Sequence, residues 1–310
     1  MTGAAVHTAP ASSEDIYRSR CESQPALVPR VDPVMYSLAG PLSAAQCAAF
    51  DRRGYVELEF WFEQAELTSM MDEAKRLMRS DSLLNSETLI LEPDSSAVRS
   101  VFHIHEQSKL FRRLVMDSRL VGVAQQLLND DVYIHQSRLN YKAGFSGKEF
   151  YWHSDFETWH IEDGMPRMRA LSMSIALTEN TEYNGPLLVM PGSHNTYVRC
   201  VGTTPDDHYK QSLRRQEYGV PDQESLRFLH QRGGIAASMG AAGTITIFDC
   251  NIMHGSSSNI SPLPRSNVFI VYNGTSNKLT TPFGGTAPRP EFVAVRDNTT
   301  ALVPVAGNII

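Results

Sequence analysis

From Val132 onward, the chain is a succession of short runs in which apolar and polar residues mix. The runs are VYIHQSRLNYK, EFYWHSDF, MRALSMSIALT, GPLLVMPGSH, GTITIFDCNIMH and SNVFIVYNG, and Gly, Pro and Asn lie between them. Each run has the length of one strand, and turn residues recur at short intervals. Many short strands of this kind are typical of a β-barrel or a double-sheet jelly roll.

The preceding part of the chain shows helical spacing instead. We predict a helix over 43–52, capped by its first serine and ended by Gly54, and then the strand-like run YVELEFWF. Apolar residues at helical spacing predict a second helix over 63–79. A further helical region is predicted over about 108–128, with a break near Asp117. These helices are expected to pack against a sheet.

The chain is interpreted as one domain between two tails. The predicted segments are a loosely ordered N-terminal tail (1–35), one domain (36–305) with a helical part (about 43–128) and a jelly-roll part (about 131–305), and a C-terminal tail (306–310). A polar stretch at about 195–240, with a helical middle at about 208–231, is predicted as an insertion. Such an insertion could cover the mouth of a barrel.

Composition restricts the possible partners. The formal net charge of -6 offers no basic surface for nucleic acid and no polybasic membrane signal. No stretch is long and apolar enough for a membrane span, and the first residues resemble no secretory signal. Cys21, Cys47, Cys200 and Cys250 are far apart, which is typical of reduced thiols. We therefore expect a cytoplasmic protein that binds neither nucleic acid nor a membrane.

The run Trp152-His153-Ser154-Asp155 indicates a metal site. In a strand, residues two apart point to the same face, so we expect His153 and Asp155 to reach one point together. The best candidate for a third ligand is His254, at the end of GTITIFDCNIMHG. Two histidines and one carboxylate form the facial set of non-haem Fe(II) oxygenases, which leaves metal positions open for cosubstrate and O₂.

Other histidines compete for this role, because an HxD pair alone is common. His103 and His105 also have same-face spacing, but they precede the barrel strands and are interpreted as structural or surface residues. His194, in PGSH, is interpreted as part of a structural turn.

Two further patterns indicate a site for a small polar molecule. Arg265 follows His254 at the start of the next predicted strand, where a buried guanidinium would suit a carboxylate, although a surface charge remains the alternative. Gln136, Arg138 and Asn140 share one face of VYIHQSRLNYK. That stripe faces either solvent, on an edge strand, or the interior of a barrel that holds polar ligands.

The HSD run, the IMHG run, Arg265 and NGPLLVMPGSH together resemble the phytanoyl-CoA hydroxylase superfamily. Within it, FYWHSDFETWHIEDGMPRMRALSMSIALT is the more specific segment and resembles the ectoine hydroxylase family. The runs QSRLN before it and FDCNIMHGSSSNISPLPRSNVFIVYN after it fit the same pattern. The resemblance covers residues from about 31 to 305.

The resemblance implies a mainly β fold with flanking helices and a double-stranded β-helix core of the jelly-roll, cupin-like type. It implies that His153, Asp155 and His254 hold iron and form the catalytic centre. The residues that it implies around 2-oxoglutarate are Arg138, Asn140, Phe150, Ser256 and Arg265. The residues that it implies around the substrate are Gln136, Trp159, Ser174, Phe248 and Phe269.

The implied reaction is hydroxylation of ectoine to 5-hydroxyectoine with Fe(II), 2-oxoglutarate and O₂, which releases succinate and CO₂ during compatible-solute synthesis. The resemblance also implies a homodimer. Ectoine carries a delocalised amidinium and a carboxylate, and Trp159, Phe248 and Phe269 could receive the cation on their aromatic faces. Packing in the core is the alternative role for each of these aromatic residues.

Three alternative functions remain. A related hydroxylase could act on another small polar amino acid or amidine. A halogenase with this scaffold would normally carry a small residue where Asp155 stands, so the carboxylate argues against it. A non-catalytic jelly-roll binding protein would not need His153, His254 and Arg265 together with that carboxylate.

Overall fold

A computed structural model describes residues 15–21, 23–84, 86–93, 95–215 and 217–310. The strands are β1 (Ala26–Pro29), β2 (Tyr55–Leu58), β3 (Leu89–Leu91), β4 (Val98–Phe102), β5 (Val132–Lys142), β6 (Phe150–His153), β7 (Ala170–Ala176), β8 (Leu187–Val189), β9 (Thr196–Arg199), β10 (Ala236–Ser238), β11 (Ile245–Asp249), β12 (His254–Ser256) and β13 (Arg265–Gly274). The helices are α1 (Ala44–Arg53), α2 (Gln64–Met78), α3 (Asp81–Leu84), α4 (Ile104–Gln107), α5 (Lys109–Val115), α6 (Ser118–Leu128), α7 (Asp155–Asp163), α8 (Tyr209–Ser212) and α9 (Gln223–Gly233).

Two antiparallel sheets form the core. The larger sheet has the strand order β2-β11-β7-β13-β5-β4-β3, and the smaller has the order β10-β8-β12-β6. One apolar cluster joins them, with Phe248 and Phe269 from the larger sheet and Leu187 and Val189 from the smaller. The predicted mainly β fold with a jelly-roll core and flanking helices is confirmed.

The helices cover the outer face of the larger sheet. Alternation along β7 explains why: Leu171, Met173 and Ile175 are fully buried in the cluster that contains the apolar residues of α2 and α6. Burying each such side chain stabilises the fold by about 1.5–3 kcal/mol. Ser172 and Ser174 lie on the opposite face of β7, towards the smaller sheet.

The predicted helices of the first half are confirmed. α1 begins with a capping box, in which Ser43 accepts from the backbone N–H of Gln46, and it ends at Gly54 with φ of 79°. The region at 108–128 is broken where expected, because Asp117 caps α6. The strand-like run YVELEFWF is shorter than predicted, since β2 ends at Leu58.

The expectation of a loosely ordered tail over 1–35 is wrong for residues 15–21 and 23–35. β1 pairs with β9, Tyr17 is buried against Phe156, and Arg20 is buried in ion pairs with α7. Residues 1–14 of that tail lie outside the described residues. The C-terminal tail also packs onto the fold, because Ile309 is buried in the main core.

Two other segment predictions need correction. The helical part contributes β3 and β4 to the larger sheet, which the sequence did not indicate, beside β2, which the run YVELEFWF did indicate. The insertion holds two separate helices, α8 and α9, instead of one continuous helix, and β9 and β10 flank them. Within the described ranges, no helix has both the length and the apolarity that a membrane span requires.

Candidate active site

The three predicted metal ligands come from three elements that meet at one edge of the smaller sheet. His153 ends β6, His254 begins β12, and these two residues are register partners. Asp155 is not in the strand, contrary to the alternation argument: Ser154 caps α7, and Asp155 is its first residue. The carboxylate reaches the histidines because the chain turns into a helix at that point.

The ligand atoms of the three residues converge. Oδ1 of Asp155 lies 3.8 Å from Nε2 of His153 and 3.8 Å from Nε2 of His254. Among the described residues, this is the one group of three or more His, Cys, Asp or Glu side chains whose ligand atoms all lie within 4.8 Å of one another. The hydroxyl of Ser172 donates to Oδ2 of Asp155 at 3.2 Å and orients that carboxylate.

Both imidazoles present a lone pair to the centre of this group. Nδ1 of His153 lies 2.7 Å from the carbonyl oxygen of Tyr151, and Nδ1 of His254 lies 3.0 Å from that of Ile252. A carbonyl oxygen only accepts, so each Nδ1 carries the proton and each Nε2 is free to coordinate. Such outer hydrogen bonds are typical of metal-binding histidines.

The charges in this group suit a cation. Burial lowers the pKa of His153 to about 3, and the neighbouring His254 adds to that effect, so the imidazole is neutral. Burial raises the pKa of Asp155, but the two histidines, Arg138 and the Ser172 hydrogen bond together outweigh it and lower the pKa. A neutral imidazole and an ionised carboxylate are the forms that bind metal.

All but two of the predicted site residues line a single pocket between the sheets. The space that these residues line amounts to about 780 Å³, a figure that includes open solvent at the mouth of the pocket. The predicted residues in its wall are Gln136, Arg138, Asn140, Phe150, His153, Asp155, Trp159, His254, Ser256, Arg265 and Phe269. The polar stripe of β5 therefore faces inward.

One end of the pocket is built for an anion. Arg265 begins β13 and is buried, and one of its Nη atoms donates to the carbonyl oxygen of Gly185 at 2.5 Å. Its Nε has no partner among the protein groups described. Burial lowers the pKa of Arg265 to about 10, and Arg99 nearby contributes. Asn140 and Ser256 also line this end, and Asn140 accepts from Ser100 at 2.8 Å.

Sequence reasoning missed two buried basic side chains near Arg265, those of Lys142 and Arg99. Lys142 is its register partner on β5, and its Nζ donates to the carbonyl oxygens of Lys148 and Ser257 at 2.6 Å. Burial, with Arg265 and Arg99 nearby, lowers the pKa of Lys142 to about 6. The Arg99 guanidinium lies 3.6 Å from the ring centre of Phe150. Two basic side chains thus lie near Arg265, and its lowered pKa leaves Lys142 largely unprotonated at neutral pH.

The other end is aromatic and polar. Arg138 lies on β5 between Asn140 of the first end and Gln136 of this one; its guanidinium is 5.0 Å from the ring centre of Phe269 and donates to Gln136. Gln136 donates in turn to the carbonyl oxygen of Val293 at 2.7 Å. Trp159 is buried on α7, one turn after Asp155, so the same helix supplies a metal ligand and a pocket wall.

Ser174 and Phe248 are the two predicted residues outside the pocket wall. Ser174 accepts a hydrogen bond from Asn267 at 2.9 Å. Phe248 packs behind the metal group, with its ring centre 5.0 Å from that of His254 and 6.4 Å from that of Phe269. Their contact with a substrate stays a prediction.

The pocket wall also contains residues that the sequence did not indicate. They are Ser100, Phe102, Thr158, Leu187, Ser212, Leu213, Gly255 and Arg289. Arg289 is buried, and Asp163 binds it through two hydrogen bonds of 2.8 and 2.5 Å. It lies in the run TAPRPEF, which has no strand or helix periodicity. The one sequence signal for Arg289 is a positive charge between two prolines.

The other histidines lie apart from the metal group. His105 is buried, and its Nδ1 lies 2.6 Å from the Ser137 hydroxyl. His103, with φ of 61°, packs edge to face on it. His194 is buried in the turn after β8, and its Nε2 bonds to the Asp51 carbonyl oxygen. These positions agree with the structural roles expected for them.

This fold and this site define the class of protein. Residues 50–267 match the phytanoyl-CoA dioxygenase (PhyH) family, and the chain belongs to that family. Within the family, the chain is 55% identical over 300 residues to the ectoine dioxygenase of Sphingopyxis alaskensis. That alignment covers 96% of this chain and 98% of the relative. It is 52% identical over 296 residues to the ectoine dioxygenase of Bordetella bronchiseptica, and the alignment covers 94% of this chain and 96% of the relative.

Solved structures give the same result. The crystal structure of EctD from S. alaskensis with 2-oxoglutarate and 5-hydroxyectoine has a TM-score of 0.86 at 49% identity, and the match covers 96% of this chain and all of that one. The structure of the same protein with bound Fe has a TM-score of 0.85. The resemblance to ectoine hydroxylases is therefore confirmed.

Proposed function

We propose that this protein is an Fe(II)- and 2-oxoglutarate-dependent dioxygenase that hydroxylates ectoine to 5-hydroxyectoine. The observation that carries the proposal is the convergence of His153, Asp155 and His254 inside a pocket with an anion-binding end and an aromatic end. The relatives that cover nearly the whole chain are ectoine dioxygenases, which supports this choice of substrate.

The three converging side chains would hold the iron. Two imidazoles that turn Nε2 towards the group and one carboxylate are the donor set that non-haem Fe(II) oxygenases use. The hydrogen bonds from Nδ1 of each histidine and from Ser172 to Asp155 fix the ligands before metal binds. The other residues of the pocket wall lie beside this group.

The anionic cosubstrate would occupy the end formed by Arg265. The free Nε of Arg265 and the nearby Arg99 guanidinium favour a carboxylate there. Asn140 and Ser256 would supply polar contacts, with Arg138 and Phe150 completing the wall. When bound, iron with 2-oxoglutarate and O₂ supplies the oxidation that puts oxygen into a C–H bond and releases succinate and CO₂.

The substrate would occupy the other end. Trp159 and Phe269 offer aromatic faces to the amidinium of ectoine, and exclusion of water strengthens such cation–π contacts. Gln136 supplies a polar contact, and the buried Arg289 suits the ectoine carboxylate. Phe248 and Ser174 would act from just behind this wall. These residues hold one face of the ring towards the metal group, and that positioning decides which C–H bond reacts.

Anaerobic calorimetry tests the substrate assignment without turnover. Protein loaded with Fe(II) and 2-oxoglutarate should bind ectoine more tightly than other small amino acids or amidines. Tighter binding of another amidine would favour the related-hydroxylase alternative. Loss of iron and 2-oxoglutarate binding altogether would favour a non-catalytic binding protein.

Two further properties belong to the proposal. We infer a homodimer from the resemblance alone, and a cytoplasmic location that the free cysteines Cys21, Cys47, Cys200 and Cys250 support. The chain mass is 34.5 kDa, so light scattering in solution should give about twice that value. A monomer would contradict the first inference without affecting the chemistry.

A further inference from the structure

His208, in the insertion between β9 and α9, is held from both ring nitrogens. It is buried although it lies in a polar stretch, and it immediately precedes α8. Its Nδ1 lies 3.0 Å from the carbonyl oxygen of Pro205, and its Nε2 lies 2.5 Å from Oε2 of Glu162. Both partners are acceptors, and the contact with Glu162 is a salt bridge when the ring is protonated. His208 is thus paired with the last turn of α7.

Glu162 is the common partner of three separate parts of the chain. Its Oε1 accepts from Arg20 of the N-terminal segment at 2.5 Å, and its Oε2 lies 3.4 Å from Nε of Arg289. Burial raises the pKa of Glu162, but Arg289, His208 and Arg20 together outweigh it and lower the pKa to about 2. Arg20 also donates to Thr204 at 2.8 Å, so the insertion is bound to this charge cluster at two points.

The next residue of the insertion makes a different contact. The ring centre of Tyr209 lies 6.5 Å from that of Phe292, which lies 6.4 Å from that of Phe102 in the pocket wall. The start of α8 is therefore fixed on one side by charge and on the other by aromatic packing. One helical turn later, Ser212 and Leu213 enter the wall of the active-site pocket.

We propose that His208 is a positioning residue for the substrate: its ion pair with Glu162 holds α8 so that Ser212 and Leu213 close the substrate end of the pocket. The inference rests on the proposed function, because it concerns how ectoine is retained. α7 links the metal group to the His208 contact, because it begins with the metal ligand Asp155 and carries Glu162 in its last turn. Without this ion pair, the part of the pocket wall formed by Ser212 and Leu213 loses its support.

The test compares His208→Ala, His208→Gln and the control His230→Gln, which changes an exposed histidine of the same insertion. His208→Ala should raise KM for ectoine by about tenfold or more, with KM for 2-oxoglutarate and iron content unchanged. It should also form more succinate per hydroxylated product. A loosely held substrate more often escapes oxidation, whereas 2-oxoglutarate is still consumed. His208→Gln keeps an N–H that can reach Glu162 and should lose less, and the control should match the wild type.

Hydrogen exchange in the iron-loaded protein gives a second readout that needs no turnover. The backbone of residues 203–213 should exchange faster in His208→Ala, whereas α9 should be unchanged. Unchanged exchange at 203–213 would overturn the inference, as would an unchanged KM for ectoine with normal coupling. A wild-type protein that does not hydroxylate ectoine would instead refute the proposed function, and the exchange result would still decide whether His208 holds α8.

Discussion

His153 and His254 face each other as register partners on β6 and β12, and their ring centres lie 4.2 Å apart. They are far apart in the sequence, and the pairing of two short antiparallel strands brings them together. A shift of this register by one residue would turn one imidazole to the other face of the sheet. The strand pairing therefore determines the metal site as much as the ligands do.

Replacement of Asp155 by alanine should abolish hydroxylation and leave the fold largely intact. The two histidine ligands remain, but the negative charge that the Asp155 carboxylate supplies to the cation is lost. Ser172→Ala is the milder comparison, because it removes only the hydrogen bond to the carboxylate and should weaken iron binding about 10–100-fold. Metal analysis, product assay and circular dichroism measure these effects. Full activity in Asp155→Ala would refute the metal assignment.

Arg265→Met should weaken 2-oxoglutarate binding more than ectoine binding. A charge-assisted hydrogen bond contributes about 1.5–3 kcal/mol, so KM for 2-oxoglutarate should rise roughly 10–100-fold. The thermal midpoint should not fall much, because Arg265 is a buried cation and methionine removes its desolvation cost. Arg227→Met, at an exposed position of α9, is the matched control. An equal rise in both KM values would instead indicate general damage to the pocket.

Trp159→Phe and Trp159→Leu separate aromatic attraction from simple volume. Phenylalanine retains a face for the amidinium, whereas leucine removes it. A cation–π contact contributes about 0.5–2 kcal/mol, so the leucine variant should raise KM for ectoine by about 2–30-fold, and the phenylalanine variant should lie near the wild type. Steady-state kinetics at saturating 2-oxoglutarate provides the measurement. Equal KM values in the two variants would exclude a cation–π role for this residue.

The metal-free protein should lose stability as the pH falls from 6.5 to 5.5. Burial lowers the pKa of His105 and His153 to about 3 and that of His135 to about 4. Unfolded histidines titrate near 6.5, so in this window the unfolded state binds more protons and the free energy of unfolding falls by roughly 1 kcal/mol for each histidine. Urea unfolding at the two pH values tests this. His105→Gln should reduce the pH dependence, and a flat profile in the wild type would contradict it.

Much of the fold could be predicted from the sequence because its signals are local. Ser43 and Gly54 carry cap chemistry that determines where α1 begins and ends. The packed N-terminal segment could not be predicted, because its order depends on distant partners: Arg20 is buried only through Glu157 and Glu162 on α7. A polar run with prolines gives no sign of such pairing.

The candidate site also contains residues that could be predicted from the sequence and residues that could not. His153, Asp155, His254 and Arg265 could be identified from motif and spacing, and the structure brings them into one pocket. Arg289 and the α8 residues could not be found, because they lie in stretches without periodicity that tertiary contacts fold onto the pocket. The alternation argument for Asp155 reached the right position through the wrong element, since it overlooked that Ser154 can cap a helix.

Mass spectrometry of a single reaction tests the central claim most directly. The purified protein is incubated with Fe(II), 2-oxoglutarate, O₂ and ectoine, and ectoine products and succinate are measured together. We expect a product heavier by one oxygen atom, identified as 5-hydroxyectoine and formed in step with succinate. Iron-loaded protein that yields neither hydroxylated ectoine nor succinate would contradict the proposed function.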